Sequence, residues 1–118
     1  MVRIAVLGSG TGTNFDAIWR AVIDGKLDAE IVCVVSDREQ APILEKARKL
    51  GLTSKFLSLS KSGPGFDAYI EYLHTQKVQY VVLAGFMRIL PASFVAAFKS
   101  SRGNYSNIVN VHPSLLPE

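Results

Sequence analysis

Short β-branched runs alternate with helix-periodic segments along this chain, and that alternation restricts the fold more than any other feature. Residues 2–7 (VRIAVL), 31–35 (IVCVV), 80–84 (YVVLA) and 107–111 (NIVNV) are apolar with little polar alternation. Strands of that kind are covered on both faces, as in parallel sheets. A helix from Thr13 or Asn14 carries Phe15, Ile18, Trp19, Val22 and Ile23 at helical spacing and closes at Gly25. A second, over 41–50, ends at Gly51, and a third, over 66–76, places Phe66, Tyr69, Ile70 and Leu73 on one face. A fourth, over 91–98, opens with proline in its first turn. Residues 54–59 read as a further, weaker strand and 60–65 as a flexible Gly/Pro/Ser loop. Strands separated by helices imply right-handed crossovers. The expected fold is α/β, a Rossmann-like, open, mainly parallel sheet with helices on both faces.

A chain of 118 residues suffices for one domain with one core. Hydrophobic residues make up 48% and charged ones 19%, which is a globular composition. The net charge of +3 comes from scattered basic residues with no aromatic-interleaved cluster. That argues against a nucleic-acid surface and suits small-molecule, anionic substrates. The single cysteine, Cys33, lies inside an apolar strand, so no disulfide forms within the chain and a cytoplasmic location is the default. The run 4–7 is too short for a signal sequence, and no stretch is long enough to span a membrane.

Three segments carry candidate chemistry. The first strand runs into Gly8-Ser9-Gly10-Thr11-Gly12-Thr13-Asn14 and then a helix. Backbone amides and the helix dipole at such a junction form an anion site, and glycines let the backbone approach a phosphate. A tight turn with an Asn or Thr cap is the alternative. Thr13 or Phe15 stands where a dinucleotide fingerprint needs its third small residue, and no lysine precedes Lys26 for a triphosphate loop. A single phosphate fits best. Asp37, ending the second strand, is either a ribose contact or a solvated turn residue. In the second segment, 83–91 (LAGFMRILP), Gly85 allows close backbone approach and the apolar residues after it wall a pocket for a flat heterocycle. Arg88 there is either an anchor for loop carbonyls or a ligand contact. In the third, 109–117 (VNVHPSLLP), Asn110 and His112 stand two apart on a strand and share a face, and Pro113 ends the pairing. An amide and an imidazole at a carboxyl strand end suit stabilisation of an oxyanion, with His112 giving or taking a proton. A turn Asn and a strand-end His without a role is the plain alternative.

Together, Gly10–Asn14, Leu83–Leu90 and Asn110–Pro117 closely resemble the phosphoribosylglycinamide formyltransferase family, and the resemblance covers essentially the whole chain. It implies transfer of a formyl group from 10-formyltetrahydrofolate, as co-substrate and without a metal, to the amine of glycinamide ribonucleotide in purine biosynthesis. It implies that Gly12, Thr13 and Asn14 bind the ribose phosphate. Met87, Arg88, Ile89 and Leu90, with Asn110, would hold the folate, and Asn110 with His112 would be the catalytic pair. A formyltetrahydrofolate hydrolase and a non-catalytic phosphate-binding fragment are the competing expectations. The resemblance departs at 65–69 (GFDAY), where the family's folate-contacting arginine has no counterpart. It also implies that the family's chain continues beyond the Asn-x-His motif with its catalytic aspartate. Residues 1–118 would then be a single N-terminal domain, truncated after that motif. Such a domain is expected to turn over little and to self-associate or form a homodimer through an incomplete sheet.

Overall fold

The computed structural model describes residues 1–59, 65–99 and 106–111. Five strands, β1 (Val2–Leu7), β2 (Ala29–Ser36), β3 (Ser54–Phe56), β4 (Tyr80–Ala84) and β5 (Ile108–Val111), form one sheet in the order β3-β2-β1-β4-β5. Every pairing is parallel. The crossovers are α1 (Thr13–Ile23), α2 (Pro42–Lys49), α3 (Phe66–Thr75) and α4 (Ala92–Ala97). The alternation of apolar runs and helical periods therefore produced the expected architecture. The chain departs from it in strand length. β2 extends to Ala29 and Ser36, and β3 stops at Phe56 although Leu57 still donates its N–H to Ser36 O at 2.9 Å.

Side-chain alternation along β1 divides the core into two layers. Ile4 and Val6 pack with Phe15 and Ile18 of α1 and with Ile43, Leu44 and Ala47 of α2. Ala5 and Leu7 face the other way, onto Tyr69 and Leu73 of α3 and Phe94 of α4. A register shift interrupts the β1–β2 ladder, where Ile4 pairs with Ile31 but Ala5 pairs with Cys33. Val32 is the extra residue of a bulge, and it turns to the same layer as Cys33. Burial pushes the Cys33 thiol up to about 12, which keeps it protonated and makes it a core residue. Among the described residues, no helix is long and apolar enough to cross a membrane.

The sheet has its topological switch between β1 and β4. The chain leaves β1 towards α1 on one face and leaves β4 towards α4 on the other. The loops at the carboxyl ends of these two strands meet there, Ser9 N–H donating to Gly85 O at 3.3 Å, and this is the edge where open α/β sheets take their ligands.

Candidate active site

Two of the three glycines in the loop after β1 answer to definite geometry. A Cβ on Gly8 would stand 2.6 Å from Ile43 Cδ1 and 2.8 Å from the Ala84 carbonyl oxygen, so Gly8 lets β1 and β4 close together. Gly12 has φ +83°, a left-handed conformation that favours glycine, and it is the N-cap residue of α1. With no side chain capping this end, the first-turn amides of α1 have no acceptor inside the helix. Gly10 is open on its Cβ side, with nothing within 4 Å. The loop is held from behind, where Gly8 N–H donates to Val35 O at 3.0 Å and Ile43 N–H donates to Gly10 O at 3.2 Å.

Asn14 is buried, and its side-chain amide donates to Val111 O at 3.3 Å. The amide therefore ties the first turn of α1 to the end of β5. What remains at Gly12, Thr13 and Asn14 for an anion is backbone N–H and the Thr13 hydroxyl, which lies 3.2 Å from that of Thr11. Asn110 pairs in register with Leu83 and is exposed at the strand end, next in sequence to the residue Asn14 holds. His112, the expected partner of Asn110, lies outside the described residues.

The segment after β4 completes the candidate site. Gly85 turns with φ +72°, and Phe86 anchors the turn by packing its ring 6.0 Å from Tyr69 and 6.4 Å from Phe66. Beyond it, Met87 and Ile89 project outward, 79% and 93% exposed. With Leu59, Gly65, Phe66 and Arg88 they line a cleft of about 400 Å³. Where the family's arginine was expected, Phe66 stands at the start of α3, so Arg88 is the cation of this cleft among the described residues.

A buried group that motif reading missed links the two loops. Ser9 Oγ donates to Asp37 Oδ1 at 2.7 Å and accepts the Met87 N–H at 2.9 Å. Arg88 Nε donates to Asp37 Oδ2 at 2.8 Å. Asp37 is thus neither a ribose ligand nor a solvated turn residue; its side chain is 3% exposed and paired. Among the described residues, Arg88 anchors a carboxylate rather than loop carbonyls. Burial pushes the Asp37 carboxyl up, but the hydrogen bonds from Arg88, Ser9 and its own backbone outweigh that and hold it below the ordinary value. A depressed folded-state pKa stabilises the protein above the unfolded value and ceases to do so as pH falls through the folded one. Asp37→Ala is therefore expected to cost about 2 kcal/mol at pH 7. In urea unfolding, its gap to the native protein narrows as pH drops below the ordinary carboxylate range, about 4. A gap that does not change with pH would show that the ionisation of Asp37 contributes nothing to stability.

The fold agrees with that of known proteins. The family model for formyl transferases matches residues 2–118, and the chain belongs to that family. Within it, the chain is 38% identical over 121 residues to the phosphoribosylglycinamide formyltransferase of Haemophilus influenzae, covering 100% of this chain and 54% of that protein. It is 32% identical over 120 residues to the enzyme of the same name from Bacillus subtilis, covering 99% and 58%. The crystal structure of glycinamide ribonucleotide transformylase 1 from Symbiobacterium toebii superposes with a TM-score of 0.83 at 38% identity, covering 99% and 54%. The chain spans about half the length of the curated bacterial enzymes it matches.

Proposed function

We propose that this chain carries the substrate-phosphate site, part of the folate site and the Asn-x-His motif of a cytoplasmic phosphoribosylglycinamide formyltransferase, as one domain of that enzyme. The observation that carries the reading is the Asn14–Val111 contact at 3.3 Å. The contact ties the first turn of α1 to β5, whose last two residues are Asn110 and Val111, so a phosphate held on the loop would deliver the rest of its molecule to that strand end. The relatives named for formyl transfer to a phosphoribosylglycinamide supply a substrate of that shape.

In this reading the ribose phosphate of glycinamide ribonucleotide rests on the backbone of Gly12, Thr13 and Asn14. The 10-formyltetrahydrofolate co-substrate lies along Met87, Arg88, Ile89 and Leu90, with Asn110 at its formyl group. The amine lone pair attacks the formyl carbon, and the carbonyl oxygen takes up the electron pair. Asn110 donates to that oxyanion, and a protonated His112 shares the charge. Collapse of the intermediate breaks the bond to the folate nitrogen, which receives a proton from His112, while the new amide loses one.

The test is a phosphate titration followed by NMR, together with a formyl-transfer assay of the whole protein. Inorganic phosphate should shift the amide resonances of Gly12, Thr13 and Asn14. Gly12→Val, which forces a branched side chain onto φ +83° and towards Ile43 Cβ at 3.1 Å, should weaken glycinamide ribonucleotide binding about tenfold or more. Folate affinity should hold. Silent loop amides, or hydrolysis without transfer, would displace the reading.

A further inference from the structure

We infer that Asp37 and Ser9 are positioning residues for the co-substrate, fixing the segment Met87–Leu90 to the glycine loop. The inference rests on the reading that this segment holds the folate. Its basis is an asymmetry between the two loops. The glycine loop is secured from behind by Val35 and Ile43, and it packs against Ile43 and Ala84. The segment Met87–Leu90 is backed by packing at its far end, where Leu90 rests on the α3/α4 layer of the core, while Met87, Arg88 and Ile89 before it are exposed. Met87 and Ile89 project into solvent, and among the described residues the segment makes two hydrogen bonds. One runs from Met87 N–H to Ser9 Oγ and the other from Arg88 Nε to Asp37 Oδ2, at 2.9 and 2.8 Å. Both lead to the same pair, because Ser9 and Asp37 bond each other at 2.7 Å.

The pair is built for the task chemically. Ser9 is 2% exposed and uses its hydroxyl in both senses, as acceptor from Met87 and donor to Asp37. Asp37 then spends its other oxygen on Arg88, leaving neither partner unsatisfied. The chain is rooted in the buried Ser9–Asp37 bond and reaches out to a half-exposed Arg88, and a root of that kind holds geometry more tightly than wholly exposed contacts do. A loop that must present its backbone to a flat ring gains most from such a brace, since an ordered site avoids the ordering cost on binding.

The experiment is steady-state kinetics on the whole protein with both substrates varied. Asp37→Ala, which removes the charge-assisted bonds from both Arg88 and Ser9, should raise the KM for 10-formyltetrahydrofolate about tenfold, with the KM for glycinamide ribonucleotide within about twofold. Ser9→Ala should raise the folate KM in the same direction. Asp37→Asn should restore it to within about threefold of native, because its amide oxygen can accept from Arg88 while its amide N–H donates to the free lone pair of Ser9. A merely structural role would raise both KM values together or lower kcat alone, and either result overturns the inference. So does an unchanged folate KM in Asp37→Ala. If the native protein shows no saturation with 10-formyltetrahydrofolate, the functional reading falls and the inference with it. Saturation in the native protein with unchanged variants removes the inference alone.

Discussion

On the proposed function, replacing Asn110 with alanine should lower kcat for formyl transfer in the whole protein by on the order of 10²–10³, the usual cost of one lost oxyanion donor. Asn110 sits one residue from the end of β5, exposed and level with Leu83 of β4. That strand end is tied to the helix after the glycine loop through Asn14 and Val111, yet the proposed phosphate contacts come from backbone groups of a different segment. The affinity for glycinamide ribonucleotide should therefore change little, and the loss should fall on kcat, as expected for a group that acts on the transition state. His112→Ala should lose at least as much, since the imidazole is asked both to share the charge and to move a proton. The double variant should lose less than the sum of the two, because both groups serve one oxygen. Steady-state and single-turnover rates at saturating substrates check this. Near-normal turnover in either single variant would remove that residue from the chemistry.

Phe15→Ala should destabilise the fold by about 3–5 kcal/mol, the range for removing a fully buried aromatic ring. Phe15 is 0% exposed and stands in the layer formed by Ile4, Val6, Ile43 and Val82. It is also the third residue of α1, so the cavity opens directly under the helix end proposed to hold phosphate. For a chain of this size the midpoint of thermal unfolding should fall by on the order of 10–20 °C. Denaturant unfolding of the two forms measures the difference. A loss below about 1 kcal/mol would mean that the helix does not rest on this ring.

Much of this architecture can be read from local pattern because its causes are local. Valine- and isoleucine-rich runs fit a sheet covered on both faces, and the 3.6-residue spacing of Phe15, Ile18, Trp19 and Val22 fits only a helix. The glycine loop, Gly85 and Asn110 were visible for the same reason, since each is a short run whose residue types imply a backbone shape or a donor. The bulge at Val32 was not visible, because nothing in a row of β-branched residues marks which one is unpaired. Nor was the Ser9–Asp37–Arg88 group. Its members lie 28 and 51 residues apart, and an aspartate after a strand looks the same whether it meets water or a guanidinium. Only the strand order, which seats β1 between β2 and β4, brings them together.

That order also fixes when the candidate site can exist. β1 finds β2 after a single crossover, but its other neighbour, β4, begins at Tyr80, and Arg3 and Gln79 bond across a separation of 76 residues. Closing so long a span costs more chain entropy than closing a hairpin, and contacts of that kind are made slowly. A chain emerging from the ribosome can assemble β1, α1 and β2 while β4 has yet to appear. The glycine loop is therefore old in the life of the molecule and the candidate site young. Ser9 waits for Met87, and the two ligand loops first meet when the sheet's centre closes.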